Sequence, residues 1–387
     1  MSARGGAGVG ALAGTKVVVL EGLGPTPFIS MLLSDMGAEV VRVARPRHRS
    51  AREIGQTKGL TPDRDVVNRG TTSVEVDLKS PSGIESVLQL IESADIFIEG
   101  FRPGVVERLG LGPEVLLERN RAIVFARITG YGQSGRLARS VGHDINYVAQ
   151  SGVLHTLGHP GERPRPAVNY LGDYAGGGAL GAFGIVCALL EAARSGSGQV
   201  VDVSMVDGAA LLTARMQGLR AAGLFSDEPG TNHVDNGAPF YDTYRCADGR
   251  FVAVGALEED FYRPFLAGLG SDTTAWPDRN DEANWPQLRT LIEERIGTKP
   301  MAEWAEIFDG TDACVSPVLN FPEAARDPHN TERAVFVDVD GVLQPAPSPR
   351  LGRTPSRVPG QSAREGADIG DVIADWSRDT APVDSIH

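Results

Sequence analysis

Two segments hold the side chains best suited to moving protons. The first is Gly142-His143-Asp144-Ile145-Asn146-Tyr147, dense in titratable and polar groups. The second runs Asn169-Tyr170-Leu171-Gly172-Asp173-Tyr174-Ala175-Gly176-Gly177-Gly178, ahead of an apolar stretch at 179–194 that reads as a helix. Asp173 therefore falls at or near a helix N-terminus, where aspartate is a favoured cap. The same geometry suits catalysis. Amides at a helix start stabilise an oxyanion, glycines let a ligand approach closely, and a carboxyl there carries a proton beside the donors. His143 taken alone reads sooner as a structural histidine than as a catalytic one. Spacing leaves both readings open.

A third feature is basic. Between positions 42 and 58 stand Arg42, Arg45, Arg47, Arg49, Arg52 and Lys58 against one acid, Glu53. A local excess of this kind suits a phosphate-bearing ligand, because guanidinium groups bind phosphate bidentately. A solvated basic loop is the plainer alternative. Phe101-Arg102-Pro103-Gly104, with Arg108 about one turn further on, follows a buried strand and lies where ligands dock or where the surface simply turns.

The elements that must position these groups alternate. Strand-like runs at 16–20, 39–43, 73–76, 95–99 and 122–128 are separated by helical stretches, the first at 27–36 and the second opened by Ser80-Pro81. Strands spaced by helices of this length make βαβ units and a mostly parallel sheet, an α/β architecture that binds ligands beyond the carboxyl ends of its strands. The first βα turn reads Glu21-Gly22-Leu23-Gly24-Pro25-Thr26-Pro27. A dinucleotide site would need a glycine at Pro27 and an acid where the second strand ends in Ala44-Arg45-Pro46, so nicotinamide chemistry is excluded. After residue 205 a linker helix is expected within 206–237. A smaller α+β domain follows over 238–330, with Asp248-Gly249 as a hairpin signal. Residues 331–344 read as a linker, and 345–387 return to the large domain of 15–205. The first 14 residues read as a flexible tail.

The 387 residues suffice for two domains, and 41% hydrophobic content supplies their cores. A net charge of −13 argues against a generic nucleic-acid or membrane-surface binder. No run approaches a membrane span of about 18 apolar residues, and residues 1–14 lack a signal-peptide core. Cys187, Cys246 and Cys314 are scattered, with no metal or disulfide spacing, which fits a reducing cytoplasm. The terminal Asp384-Ser385-Ile386-His387 lacks a peroxisomal address.

Taken in order, these segments and several others resemble the family III CoA-transferase superfamily, and within it the α-methylacyl-CoA racemases. The matching pieces include Gly37-Ala38-Glu39-Val40-Val41-Arg42-Val43, Ile98-Glu99-Gly100-Phe101-Arg102-Pro103-Gly104-Val105, Gly130-Tyr131-Gly132-Gln133-Ser134-Gly135, the GHDINY segment at 142–147, Gly198-Gln199-Val200-Val201-Asp202 and Asp312-Ala313-Cys314-Val315-Ser316-Pro317-Val318. The resemblance implies a Rossmann-like large domain, a smaller α+β domain, and two copies interlocked as rings. Each active site would then lie between one copy's large domain and the other's small domain. It implies catalysis by His143 and Asp173, with Glu258 in support. Arg45, Arg102 and Arg108 fall where the family contacts CoA phosphates, and Asn169 and Tyr147 fall beside the reacting centre. The substrate would be an acyl-CoA, with no metal and no cofactor beyond the CoA that the substrate carries. The reaction implied is interconversion of (2R)- and (2S)-2-methylacyl-CoA through an enolate, held by the amides at Asp173 and beyond.

Two other functions stay open on the sequence. One is a family III CoA-transferase using Asp173 as nucleophile. The other is an acyl-CoA-binding paralogue without turnover. The chain also departs from the family: Glu21 and Thr26 replace an alanine and a glycine of the first βα turn, Thr71-Thr72 replaces a basic pair, and the loop 47–65 is long. Glu21 is expected to narrow the acyl channel or repel an acidic substrate.

Overall fold

Five consecutive residues of β1 (Lys16–Leu20) are buried, as a strand covered on both faces must be. The computed structural model describes residues 10–46, 60–270, 275–360 and 364–379. Within them β1 is followed by β2 (Glu39–Ala44), β3 (Thr71–Glu75), β4 (Ile96–Glu99), β5 (Val124–Thr129) and β6 (Val200–Ser204). Then come β7 (Tyr241–Arg245), β8 (Phe251–Gly255), β9 (Val315–Pro317), β10 (Phe336–Val339), β11 (Val342–Pro345) and β12 (Arg364–Ala367). The chain forms two units. One comprises residues 1–151, 168–212 and 333–387, the other 152–167 and 213–332.

The first unit is an α/β fold built on a seven-stranded sheet of order β12-β3-β2-β1-β4-β5-β6. All its pairings are parallel. The order 3-2-1-4-5-6 is that of a doubly wound sheet, reversing direction between β1 and β4, and ligands bind in the crevice at that reversal. Alternation along β1 divides the core. Val18 and Leu20 pack with the helices Pro81–Glu92, Pro113–Arg119 and Ile369–Asp379, while Val17 and Val19 pack with Pro25–Asp35 and Leu180–Ser195. Ser80 caps Pro81–Glu92 by accepting the Gly83 amide at 3.0 Å.

The stretch Tyr170–Ser195 is 26 residues long and, by length and composition alone, apolar enough to cross a membrane. In this fold one face is core. Gly181, Ile185, Ala188 and Ala192 are buried at helical spacing, whereas Phe183, Val186 and Leu190 are exposed on another.

The second unit holds an antiparallel sheet, β7-β8-β9, against the helices Glu259–Leu269, Trp285–Ile296 and Met301–Phe308. Its core is aromatic, with Phe240, Tyr244, Tyr262, Phe265, Trp285, Trp304 and Phe308 in one cluster.

Several boundaries differ from the sequence reading. Residues 10–14 are not a free tail, since the Leu12 amide donates to the Met36 carbonyl at 2.9 Å and its side chain packs on the core. Residues 1–9 lie outside the described residues. The expected linker helix at 206–237 is two short helices, Met205–Leu211 and Ala214–Ala221. The second ends where Gly223 turns to φ +72° and the Leu224 amide returns to Leu219. The first unit runs on to Leu212, and residues 152–167 belong to the second. The expected linker 331–344 is mostly the hairpin β10-β11. Its Asp340-Gly341 turn has both residues at positive φ, and the same dipeptide rule that flagged Asp248-Gly249 applies there. The hairpin belongs with the first unit because Arg69 donates to the Gln344 side chain and the Pro345 carbonyl, both at 2.8 Å.

Candidate active site

The carboxyl ends of β1 and β4 carry the turn Glu21–Gly24 and the turn Gly100–Gly104. Gly24 has φ +64°, and a Cβ placed there would stand 3.1 Å from a carboxylate oxygen of Asp173. Only glycine brings the backbone this close to that carboxyl. Asp173 lies in the first turns of the π-helical segment Tyr170–Ala179, which runs into Leu180–Ser195. Asn169, not Asp173, occupies the cap position. Its Nδ2 donates to Asp173 Oδ2 at 3.0 Å.

Asp173 is half-buried, and burial pushes its pKa up. The Asn169 hydrogen bond opposes that shift, the nearby Asp144 charge adds to it, and His143 opposes it. His143 is exposed and caps the short helix Asp144–Gln150, its amide donating to Asn146 Oδ1 at 3.0 Å. The two groups singled out first thus meet in one electrostatic neighbourhood.

Asp144, which adjoins His143, is part of the site although it does not stand out in the sequence. It is buried, and its Oδ1 accepts the amides of both Gly172 and Asp173 at 2.8 Å. This corrects the expected oxyanion role of the Asp173 amide, whose proton is already committed. The glycine run has another use as well. A Cβ at Gly176 would strike the Ala209 amide, one at Gly177 the Met205 side chain, and one at Gly178 the Phe28 ring. Those glycines admit neighbouring helices rather than a ligand.

Tyr147 is buried and donates its hydroxyl to the Gly142 carbonyl, bracing the residue before His143. Its pKa is pushed up to about 12, chiefly by burial, with Asp173 raising it further and Arg102 lowering it. The phenol therefore sits electrically between the carboxyl and the arginines.

Those arginines converge. Arg45, Arg102 and Arg108 line one cavity of about 520 Å³ with Phe101, Pro103 and Val105. Arg139 joins them, a residue missed because it lies outside the basic run, four positions before His143. Arg47, Arg49, Arg52 and Lys58 of that run lie outside the described residues. The turn that carries Arg102 is held by Glu99, whose Oε2 accepts the Phe101 amide at 2.7 Å. Glu99 is buried at the end of β4, directly opposite Arg127 in the ladder, and Arg127 Nε donates to it at 2.9 Å.

Glu21 sits at the first βα turn beside two basic residues. Its carboxylate accepts from Arg42 Nη1 and from the Arg45 amide, both at 3.4 Å. Glu258 belongs to the second unit, at the cap of Glu259–Leu269, exposed and not bonded to that helix's amides.

The family description CoA-transferase family III matches residues 12–368. The chain belongs to that family. As a family III chain it is 45% identical to the α-methylacyl-CoA racemase of Mus musculus over 369 residues, covering 95% of this chain and 93% of the mouse one. It is 44% identical to the Homo sapiens α-methylacyl-CoA racemase, over 89% of this chain and 88% of that one. An acetyl-CoA:oxalate CoA-transferase of Acetobacter aceti is 30% identical over 87% of this chain and 88% of its own. Among solved structures, a CAIB/BAIF family protein from Brucella suis superposes with a TM-score of 0.79 at 25% identity, covering 95% of this family III chain and 100% of the other.

Proposed function

We propose that this chain is a racemase of 2-methylacyl-CoA thioesters. The observation that carries the reading is that His143 and Asp173 share one site at the carboxyl edge of the sheet, where Asp144, next to His143, accepts the Asp173 amide and burial raises the Asp173 pKa. Inverting a carbon needs one group to take the α-proton from one face and another to return a proton to the opposite face. Neutral His143 takes the α-proton, leaving an enolate conjugated with the thioester carbonyl. Protonated Asp173 then gives its proton to the other face. The enzyme is left as imidazolium and carboxylate, the form that runs the reverse reaction, and solvent exchange restores the starting form. Each group contributes about 10²–10⁴ in rate.

The enolate oxygen is held by the amides of Asp144 and Ile145 that open the helix after His143, since the Asn146 amide already donates to the His143 carbonyl at 2.8 Å. Arg45, Arg102, Arg108 and Arg139 take the phosphates of CoA. The substrate's own CoA is the only cofactor required. Glu258, supplied by the second unit of a partner copy in an interlocked homodimer, orients His143. The exposed apolar face at Phe183, Val186 and Leu190 supports a partner copy. Three free cysteines, Cys187, Cys246 and Cys314, fit a cytoplasmic setting.

A CoA-transferase would need Asp173 as an ionised nucleophile. Burial and the Asp144 charge work against that form. The test is proton NMR of (2S)-2-methylacyl-CoA with the protein in D₂O. Loss of the α-proton with appearance of the (2R) epimer is expected. Retention of the α-proton, with transfer of CoA to an added carboxylate, would give the site to the transferase reaction.

A further inference from the structure

We infer that Arg279 is a positioning residue for Glu258. The inference rests on the proposed role of Glu258 and adds a residue of the second unit that acts through it. Glu258 ends the turn that follows β8, and a carboxylate there is useful only if its backbone is held still. Arg279 holds it. Its Nη1 donates to the Ala256 carbonyl at 3.0 Å and its Nη2 to the Leu257 carbonyl at 2.9 Å, so one guanidinium fixes the two peptide planes that lead into Glu258. Two carbonyls in sequence match the planar fork of arginine, and the single ammonium of lysine cannot span them in the same way.

The fork is itself fixed. The guanidinium carbon lies 4.8 Å from the Phe240 ring centroid and 4.4 Å from that of Tyr262, a cation held between two aromatic groups. Those rings meet edge to face at 5.8 Å and belong to the core of the unit. Glu259 Oε2 lies 3.6 Å from Arg279 Nε. The Arg279 carbonyl in turn accepts the Trp285 indole N–H at 2.9 Å. Arg279 thus ties the turn to the core, while the Glu258 carboxylate stays exposed and unclaimed by its own helix.

Three variants of the full-length enzyme test this: R279K, E258Q and the double variant. R279K keeps a cation between the rings, so the unit folds, and a thermal melt checks that it has. Because a small misplacement of a catalytic group is costly, kcat for α-proton exchange in D₂O should fall on the order of 10-fold to 10²-fold, with KM within about twofold of wild type. If Arg279 acts through Glu258, the double variant is no slower than E258Q. Additive losses in the double variant, or wild-type kcat in a folded R279K beside a slow E258Q, would overturn the assignment of Arg279 alone. Wild-type exchange in E258Q would overturn the role of Glu258 and with it this inference.

Discussion

At Asp173 three neighbours set one proton. Burial and the charge of Asp144 favour the protonated carboxyl, while Asn169 and His143 favour the ionised one. In the direction in which Asp173 donates, it must be protonated, so the rate falls as pH rises through its raised pKa. D144N removes the charge but keeps an oxygen for the Gly172 and Asp173 amides. The fall should therefore move to lower pH. N169A removes the opposing donor and should move the fall to higher pH. Profiles of kcat for the two variants that coincide with wild type would assign that limb to another group. Replacing either proton carrier, as H143A or D173N, should cost about 10²–10⁴ in α-proton exchange, while titration with CoA should show binding nearly unchanged. His143 and Asp173 were legible only through the resemblance, since spacing alone left a cap and a structural histidine as alternatives. Asp144 was not legible as an amide acceptor, because that role depends on a contact between segments about thirty residues apart in the chain.

Single elements explain which other parts could be read in advance. The strands β1, β2 and β4 follow from short β-branched runs, and Pro25, Ser80 and Pro81 mark helix starts through local chemistry. The hairpin β10-β11 falls in residues that the sequence reads as a linker, although Asp340-Gly341 carries a hairpin signal. Contacts at long range were hidden altogether. Arg69 donates to both Asp35 oxygens, at 3.0 Å from Nε, and its other bonds reach Gln344 and Pro345. Arg69 and Asp35 are both buried. R69M would strand the Asp35 carboxylate, and chemical denaturation should show a loss of about 3–5 kcal/mol. Glu99 acts on a smaller scale, holding the turn of Phe101 and Arg102. E99Q weakens that hold, so KM for the acyl-CoA should rise roughly tenfold, the equivalent of about 1.4 kcal/mol, with kcat little changed in steady-state assays. A parallel fall in kcat would place Glu99 closer to the chemistry than the turn.

For the whole molecule, the sharpest question is which copy supplies Glu258. H143A and E258Q, each nearly inactive, should regain exchange when the two variants are co-expressed. A mixed dimer then holds one intact pair, His143 from one copy and Glu258 from the other. Mixtures as inactive as their parts would confine the pair to one chain. The apolar face of Phe183, Val186 and Leu190 makes its own prediction. F183D should reduce the mass seen by light scattering to that of one chain. A last consequence comes from β12. It lies on the outer edge of β3, and beyond it Lys16 Nζ, 360 positions earlier, donates to the Trp376 carbonyl at 3.0 Å. A ribosome releases the middle of this sheet long before its border. Until the final strand emerges, β3 offers open backbone to any neighbouring chain. Crowded synthesis of a version lacking β12 and its closing helix should yield insoluble protein, although every catalytic residue is present.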